Sequence, residues 1–169
     1  MITLQSVIIW LIVAFIVFVL ALLLFRNGRI RLLSFIFLPV LALYLSFVAQ
    51  LTLFSRIPNS YTQYKIMLFW SYSAIANGST HLVYEVFWNV ILFIPIGLLQ
   101  MLIFSCKRKW MISLFVGFLL SSSIEVIQLL SHRGLFEFDD IVHNTLGAFI
   151  GTCIFVFFSA LSKKKKANS

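Results

Sequence analysis

The hydropathy pattern divides the chain into five long apolar stretches separated by more polar connections. Each stretch is long enough for an α-helix to cross a bilayer, which takes about 20 apolar residues. We therefore predict an all-α membrane bundle of about five transmembrane helices, forming one domain over residues 1–169. The predicted spans are Leu4–Phe25, Leu32–Phe54, Glu85–Ser105, Trp110–Leu130 and Ile141–Leu161.

The segment from Ser55 to Tyr84, between the second and third spans, is unusually aromatic for a loop. Its apolar centre, Ile66–Tyr72, is too short to cross a membrane. Aromatic rings prefer the headgroup zone of a bilayer. We predict an interfacial or partly re-entrant flap on the outer side, with an ordinary solvated loop as the alternative. The rings concerned belong to Tyr61, Tyr64, Phe69, Trp70 and Tyr72.

Basic residues set the predicted orientation of the bundle. Arg26–Arg31, Lys107–Lys109 and Lys163–Lys166 fall on one side if five helices alternate, and these clusters contain ten of the 13 Lys and Arg residues. Positive clusters mark the cytoplasmic side of a membrane protein. We therefore expect the N-terminus outside and the C-terminus in the cytoplasm.

Composition supports a lipid environment over a nucleic-acid partner. The chain is 62% hydrophobic and 11% charged, with a mean hydropathy of +1.05, whereas soluble domains carry roughly 25% charged residues. The net charge of +8 comes from clusters that flank apolar stretches rather than from a basic face. We expect membrane lipids as partners and no nucleic acid.

Polar and small residues recur at helical spacing along one side of each of the last three spans. Charged side chains at the centre of a membrane helix cost about 2.5–3.5 kcal/mol, so they usually face a bundle interior or a cavity. The stripes place polar groups at a common depth near the outer side, which predicts a shared polar pocket. The stripes are Glu85, Asn89, Gly97 and Gln100; Gly117, Ser121, Glu125, Gln128 and His132; and Asp140, Asn144, Gly147 and Gly151.

Glu125 is the strongest single candidate within the predicted pocket. A carboxyl group at this depth must be paired, neutral or hydrated, and Arg56, His132, Arg133 and His143 are candidate partners. The complete predicted binding set is Asn89, Glu125, Gln128, Arg133, Asp139, Asp140 and Asn144.

Structural explanations compete with a binding role for several of these residues. Asp139 or Asp140 could cap the fifth helix. Asn89 and Gln128 could simply hydrogen-bond across helices, and the Gly147 to Gly151 spacing is more typical of close helix packing than of a site. We interpret His81 as an ordinary loop histidine.

Three sequence blocks carry a resemblance to a known family. They are Asn89–Gly97 (NVILFIPIG), Ser123–Gln128 (SIEVIQ) and Arg133–Gly147, which includes FDDIVHNTLG. Over about Leu51–Gly151 the chain resembles the VanZ-like family. The resemblance implies a multi-pass protein of the bacterial cytoplasmic membrane, and a link to teicoplanin-type glycopeptide resistance.

Three functions remain open at this stage. The preferred one is binding of a lipid, a lipid-linked cell-wall precursor or a glycopeptide antibiotic in the outer pocket, with no cofactor or metal. The second is an intramembrane enzyme with Glu125 and Asp140 as candidate catalytic residues. In that reading Asp139, Asp140, Glu125 and His143 could hold a divalent metal. A small transporter is the third.

Overall fold

The computed structural model describes residues 4–58 and 63–167, so Tyr61 of the predicted flap lies outside the described residues. Within this part of the chain, five helices are long and apolar enough to cross a membrane, which confirms the predicted five-helix bundle. They are α1 (Leu4–Arg26), α2 (Leu32–Ala49), α4 (Thr80–Ile103), α5 (Lys109–Ser131) and α6 (Phe138–Ala167). A π-helical turn, Gln50–Phe54, continues α2.

Three shorter elements lie in the connections. A seven-residue helix, α3 (Trp70–Ala76), precedes α4. Two three-residue strands, β1 (Gln63–Lys65) and β2 (Leu135–Glu137), pair in parallel, and Lys65 stands opposite Glu137. These strands were not predicted from the sequence, because three residues are too few to show an alternating pattern.

The helices differ from the predicted spans mainly at their ends. α4 begins at Thr80 rather than Glu85, and α6 begins at Phe138 rather than Ile141. Hydropathy marks where a helix becomes apolar, and the first turns of both helices are polar. We call the end of the bundle at which α1, α4 and α6 begin the site end, and the opposite end, near Arg31 and Lys109, the basic end.

Glycines allow α4 and α6 to pack backbone against backbone. A methyl group at Gly97 would collide with the carbonyl oxygen of Ala148, and one at Gly151 would collide with that of Ile94. A methyl group at Gly147 would meet the backbone of Val90 in the same way. The packing interpretation of the Gly147 to Gly151 spacing is therefore confirmed, since only small residues permit this approach in a membrane.

The central core lies between α4 and α6, whereas α1 is peripheral. Phe93, Ile96 and Ala148 are completely buried. Along α1, only Ala14 and Ala21 are buried, and most of the other side chains are apolar and exposed, as expected of a helix that faces lipid. The core therefore fixes α4, α5 and α6, which carry most of the polar residues predicted to form the pocket.

Candidate functional site

A cavity of about 520 Å³ opens at the site end between the start of α4, the start of α6 and the β1–β2 pair. Its wall combines charges of both signs with aromatic rings. We call it the polar cavity. It is lined by Arg56, Lys65, Trp70, His81, Leu82, Tyr84, Glu85, Trp88, Asn89, Leu135, Glu137 and Asp140.

Two residues of the predicted binding set line this cavity. Asn89 on α4 and Asp140 on α6 face each other, and the Asn89 side chain interacts with the Asp140 carboxyl group as a hydrogen-bond partner. The positive charge of Arg56 acts on the same carboxyl group. The third turn of α4, the first turn of α6 and the segment after the π-helical turn thus bring an amide, a carboxyl group and a guanidinium to one wall.

Asp139 points away from the polar cavity and holds the start of α3. Its carboxylate accepts hydrogen bonds from the backbone N–H groups of Phe69 and Ser71, the latter at 3.0 Å, and from the Ser71 hydroxyl. Phe69 adopts a left-handed conformation with φ of 61°. A cap of α6 was the structural role predicted for Asp139 or Asp140. The observed role is to cap α3, a helix far away in the sequence.

Glu137 and Lys65 place the aromatic ring of Trp70 in the cavity wall. The Trp70 indole N–H donates to Glu137 Oε2 at 3.1 Å, and the Lys65 ammonium lies 3.2 Å from the centre of the Trp70 ring. Burial raises the pKa of Glu137 to about 7, and the negative charges of Asp140 and Glu85 act in the same direction. The cavity therefore contains a carboxyl group that exchanges its proton near neutral pH.

Glu125 lies behind the cavity wall rather than in it. The side chain is 1% exposed, and its Oε2 accepts a hydrogen bond from the backbone N–H of Glu137 at 3.0 Å. The charge of Arg56 also acts on this carboxyl group. Of the four predicted partners, Arg56 thus acts on Glu125 through its charge, and the acid anchors β2 from inside the bundle.

His143 adds a further contact between α6 and α3. Its Nε2 lies 3.0 Å from the Tyr72 hydroxyl, and its Nδ1 is buried without a hydrogen-bond partner. Together with Asp139 and Glu137, it makes a third polar contact between the start of α6 and the segment around α3. These groups therefore hold the segment in place above the helices.

Gln128 and Arg133 contact the π-helical turn on the other side of α5. The Gln128 amide donates to the carbonyl oxygen of Thr52 at 3.1 Å. Arg133 Nη1 donates to the carbonyl oxygens of Phe54 at 3.5 Å and Arg56 at 3.2 Å. Neither side chain lines the polar cavity. Arg133 instead lines a second cavity, between α1 and α2.

Asn144 also lies away from the polar cavity. Its Nδ2 donates to the Ser121 hydroxyl at 2.9 Å and so links α6 to α5, while its Oδ1 is buried without a partner. Nearer the basic end, the buried Ser113 hydroxyl contacts Gln100 at 2.9 Å and Thr152 at 3.1 Å. The polar stripes therefore continue past the cavity as links between helices.

The metal alternative does not fit the arrangement of the acids. Among residues 4–58 and 63–167, no group of three or more His, Cys, Asp or Glu side chains could hold a metal ion. Asp139 and Glu125 direct carboxylate oxygens at backbone N–H groups, and His143 faces Tyr72. The four residues suggested as ligands therefore serve different contacts.

Several residues of the cavity were missed or underrated by the sequence analysis. His81 belongs to α4 and lines the cavity, so its interpretation as a loop histidine is wrong. Lys65, Trp88 and Glu137 were not predicted as site residues. The charge of Glu137 was visible in the sequence, but its position depends on the pairing of β1 with β2, for which no local signal exists.

Fold and site together define a multi-pass membrane protein with a charged, aromatic cavity at one end of its helix bundle. A model of the VanZ/LLP1 family matches residues 10–159. The chain belongs to the VanZ/LLP1 family, as its sequence blocks predicted. Neither a curated protein nor a solved structure matches it.

Proposed function

We propose that the polar cavity binds the headgroup of a cell-envelope amphiphile, either a lipid-linked cell-wall precursor or a glycopeptide antibiotic of the teicoplanin type. The protein would act from the bacterial cytoplasmic membrane, with the site end outside. Binding at this cavity would change how much of the antibiotic reaches its target. This effect would connect the cavity with the glycopeptide resistance that the family resemblance implies.

The single observation that carries the proposal is the mixed lining of the cavity. Arg56 and Lys65 offer positive charge, and Glu85, Glu137 and Asp140 offer carboxyl groups within the same 520 Å³. A peptide-bearing headgroup carries amines, carboxylates or phosphates, all of which such a wall can meet with charge-assisted hydrogen bonds. Volumes of roughly 300–1,000 Å³ are typical of small-molecule pockets.

Aromatic rings at the mouth suit an amphiphile rather than a freely soluble ligand. Trp88 and Tyr84 line the cavity and are 61% and 67% exposed. Rings of this kind favour the membrane interface, where they can stack on the rings of a sugar or a glycopeptide. The ligand's apolar tail would remain in the bilayer while its headgroup enters the cavity.

A binding experiment with matched tryptophan variants tests this proposal. The protein is placed in lipid nanodiscs and titrated by calorimetry with teicoplanin and, separately, with a lipid-linked peptidoglycan precursor. Trp88→Ala removes a ring from the cavity mouth. Trp110→Ala removes a similarly exposed ring (49%) at the basic end. We expect the first variant to weaken binding about tenfold, a loss of about 1.4 kcal/mol, and the second to leave it unchanged.

Charge variants separate recognition from general adhesion to the membrane. Glu85→Gln changes an exposed carboxyl group of the cavity, and we expect it to alter affinity for the same two ligands. Saturable binding that is equal in wild type, W88A and E85Q would place the ligand elsewhere and refute the proposal. No saturable binding of either compound would refute it as well.

An intramembrane enzyme is the second candidate, and one observation favours it. The pKa of Glu137 is raised to about 7 by burial, inside a cavity that Asp140 also lines. Groups that exchange protons near neutral pH are suited to general acid–base chemistry. Incubation of the lipid-linked precursor followed by mass spectrometry distinguishes the two functions, because only an enzyme releases a product.

A further inference from the structure

A second cavity, of about 530 Å³, lies between α1 and α2 at the site end. The two helices pack through aromatic pairs, including Phe25 stacked on Phe35 at 5.2 Å near the basic end, and Trp10 edge-on to Phe47 at 6.1 Å nearer the site end. The cavity lies beside Trp10, between the two helices. We call it the α1–α2 cavity.

The wall of the α1–α2 cavity is mostly apolar toward the basic end and carries a charge at its mouth, near the site end. Ile9, Trp10, Val13 and Ala49 form its deeper part, and Arg133 lines it at the level of Phe54. From Gln5 to Val13 along α1 the cavity extends about 12 Å into the bundle at 1.5 Å per residue. The hydrocarbon core of a bilayer is about 30 Å thick, so this depth corresponds to a large part of one leaflet.

The π-helical turn explains why a cation stands at the mouth. The Phe54 carbonyl oxygen, at the end of this turn, and the Arg56 carbonyl oxygen both accept hydrogen bonds from Arg133 Nη1. These bonds fix the guanidinium beside the cavity, where it forms a cationic part of the wall. A guanidinium held in this way is suited to paired hydrogen bonds with a phosphate.

Three of the other four polar residues of the α1–α2 cavity are already engaged within the chain, and the fourth, Gln5, is uncharged. The Ser46 hydroxyl donates to the carbonyl oxygen of Ala42 at 2.9 Å. Ser6 and Gln50 also have interaction partners. Recognition of charge in this cavity therefore falls to Arg133, and the remaining wall favours hydrocarbon.

We infer that the α1–α2 cavity is a binding site for one anionic phospholipid, with an acyl chain along Val13 and Trp10 and the headgroup phosphate on Arg133. The positive charge of Arg133 complements the negative charge of the phospholipid headgroup. An uncharged hydrocarbon ligand would make no use of this fixed guanidinium. The site is separate from the polar cavity, and its occupancy does not depend on the function proposed above.

Native mass spectrometry with two pairs of variants tests this inference. The protein is equilibrated in micelles with phosphatidylglycerol or with phosphatidylcholine, and the retained lipid is quantified. We expect wild type to retain phosphatidylglycerol about tenfold more strongly, a difference of about 1.4 kcal/mol. Arg133→Gln should remove that preference. Arg26→Gln, which removes an arginine at the other end of α1, should preserve it.

The second pair tests the position of the acyl chain. Val13→Trp fills the cavity, and Val19→Trp places the same ring on a different face of α1 at a position of similar exposure, 37% against 39%. We expect V13W to reduce retention of both lipids and V19W to have no effect. Calorimetry with teicoplanin on R133Q reports on the polar cavity separately, so failure of either proposal is visible alone.

Three results would overturn the inference. Equal retention of the two lipids by wild type would remove the role of charge. An unchanged preference in R133Q would place the phosphate elsewhere. A doubled particle mass that is lost in V13W, without bound lipid, would show that a second copy of the chain occupies the cavity.

Discussion

Asp139 and Ser71 are 68 positions apart, yet the carboxylate of one caps the helix that begins beside the other. Both the backbone N–H and the hydroxyl of Ser71 donate to the same Oδ2. The contact joins the start of α6 to α3. One acid of the adjacent pair thus holds the segment in place, while its neighbour Asp140 faces the polar cavity.

Removal of the Asp139 carboxylate should loosen α3 before it affects the bundle. Asp139→Ala leaves the N–H groups of Phe69 and Ser71 without their acceptor, and hydrogen bonds to a charged group contribute roughly 1.5–3 kcal/mol each. We expect hydrogen exchange over residues 69–76 to accelerate at least tenfold. Exchange in the centre of α4 should not change.

Ser73→Ala provides the matched control for this variant. Ser73 lies on an exposed side of α3 and away from Asp139. Its replacement should leave the exchange of residues 69–76 near the wild-type rate. Equal acceleration in S73A and D139A would mean that α3 is held by its own sequence and not by the acid.

The raised pKa of Glu137 predicts a pH dependence of stability. The pKa is about 7 in the folded protein against 4.5 for an ordinary glutamate, mainly because of burial. The folded state therefore binds the proton more tightly than the unfolded state. Its contribution to stability is complete below pH 4.5 and is lost as the pH rises through 7.

Thermal unfolding in detergent between pH 4.5 and pH 8 measures this contribution. Glu137→Gln keeps an oxygen that can accept from Trp70 but cannot ionise. We expect the difference in melting temperature between E137Q and wild type to grow in favour of E137Q across the range. A difference that is constant with pH would show that Glu137 keeps its ordinary pKa.

Asn144 should affect stability and not ligand binding. Its amide links α6 to Ser121 on α5, and it does not line the polar cavity. Hydrogen bonds between transmembrane helices contribute about 0.6 kcal/mol on average, with about 1.7 as the largest values. A double-mutant cycle of N144A and S121A should give a coupling energy in this range.

Titration of N144A with teicoplanin tests whether Asn144 contributes to ligand binding. We expect wild-type affinity, provided that the variant is folded. A loss of affinity as large as that of W88A would return Asn144 to the binding set that the sequence analysis predicted, and would extend the site beyond the polar cavity.

The glycine contacts predict which helix pair is most sensitive to added volume. Gly151→Ala places a methyl group against the Ile94 carbonyl oxygen of α4. Overpacking of this kind typically costs about 1–3 kcal/mol. Ala160→Val adds volume at an exposed position of the same helix and should cost less than about 0.5 kcal/mol. Comparison of unfolding midpoints in detergent checks both values.

The bundle could be predicted from the sequence because it depends on quantities that are local. Span length and apolar character identified all five transmembrane helices. Glycine spacing predicted close helix packing at Gly147 and Gly151, and the structure shows α4 as the partner. The bilayer imposes both constraints on each helix separately, so no knowledge of distant partners was needed.

The candidate site was harder to predict from the sequence because it depends on pairings between distant segments. Helical periodicity predicted a shared pocket that includes Asn89 and Asp140, and both residues line the polar cavity. It could not show that Arg133 belongs to a different cavity, since that depends on the π-helical turn after α2. The position of Glu137 likewise depends on a strand partner, Lys65, about seventy residues earlier.

The parallel pairing of β1 with β2 has a consequence for how the chain matures. Parallel neighbours cannot form a hairpin, so β1 can pair only after α4 and α5 have been synthesised and β2 has emerged from the ribosome. Until then the Trp70 indole lacks its hydrogen-bond acceptor, Glu137. The polar cavity is consequently among the last parts of the structure to form during synthesis of the chain.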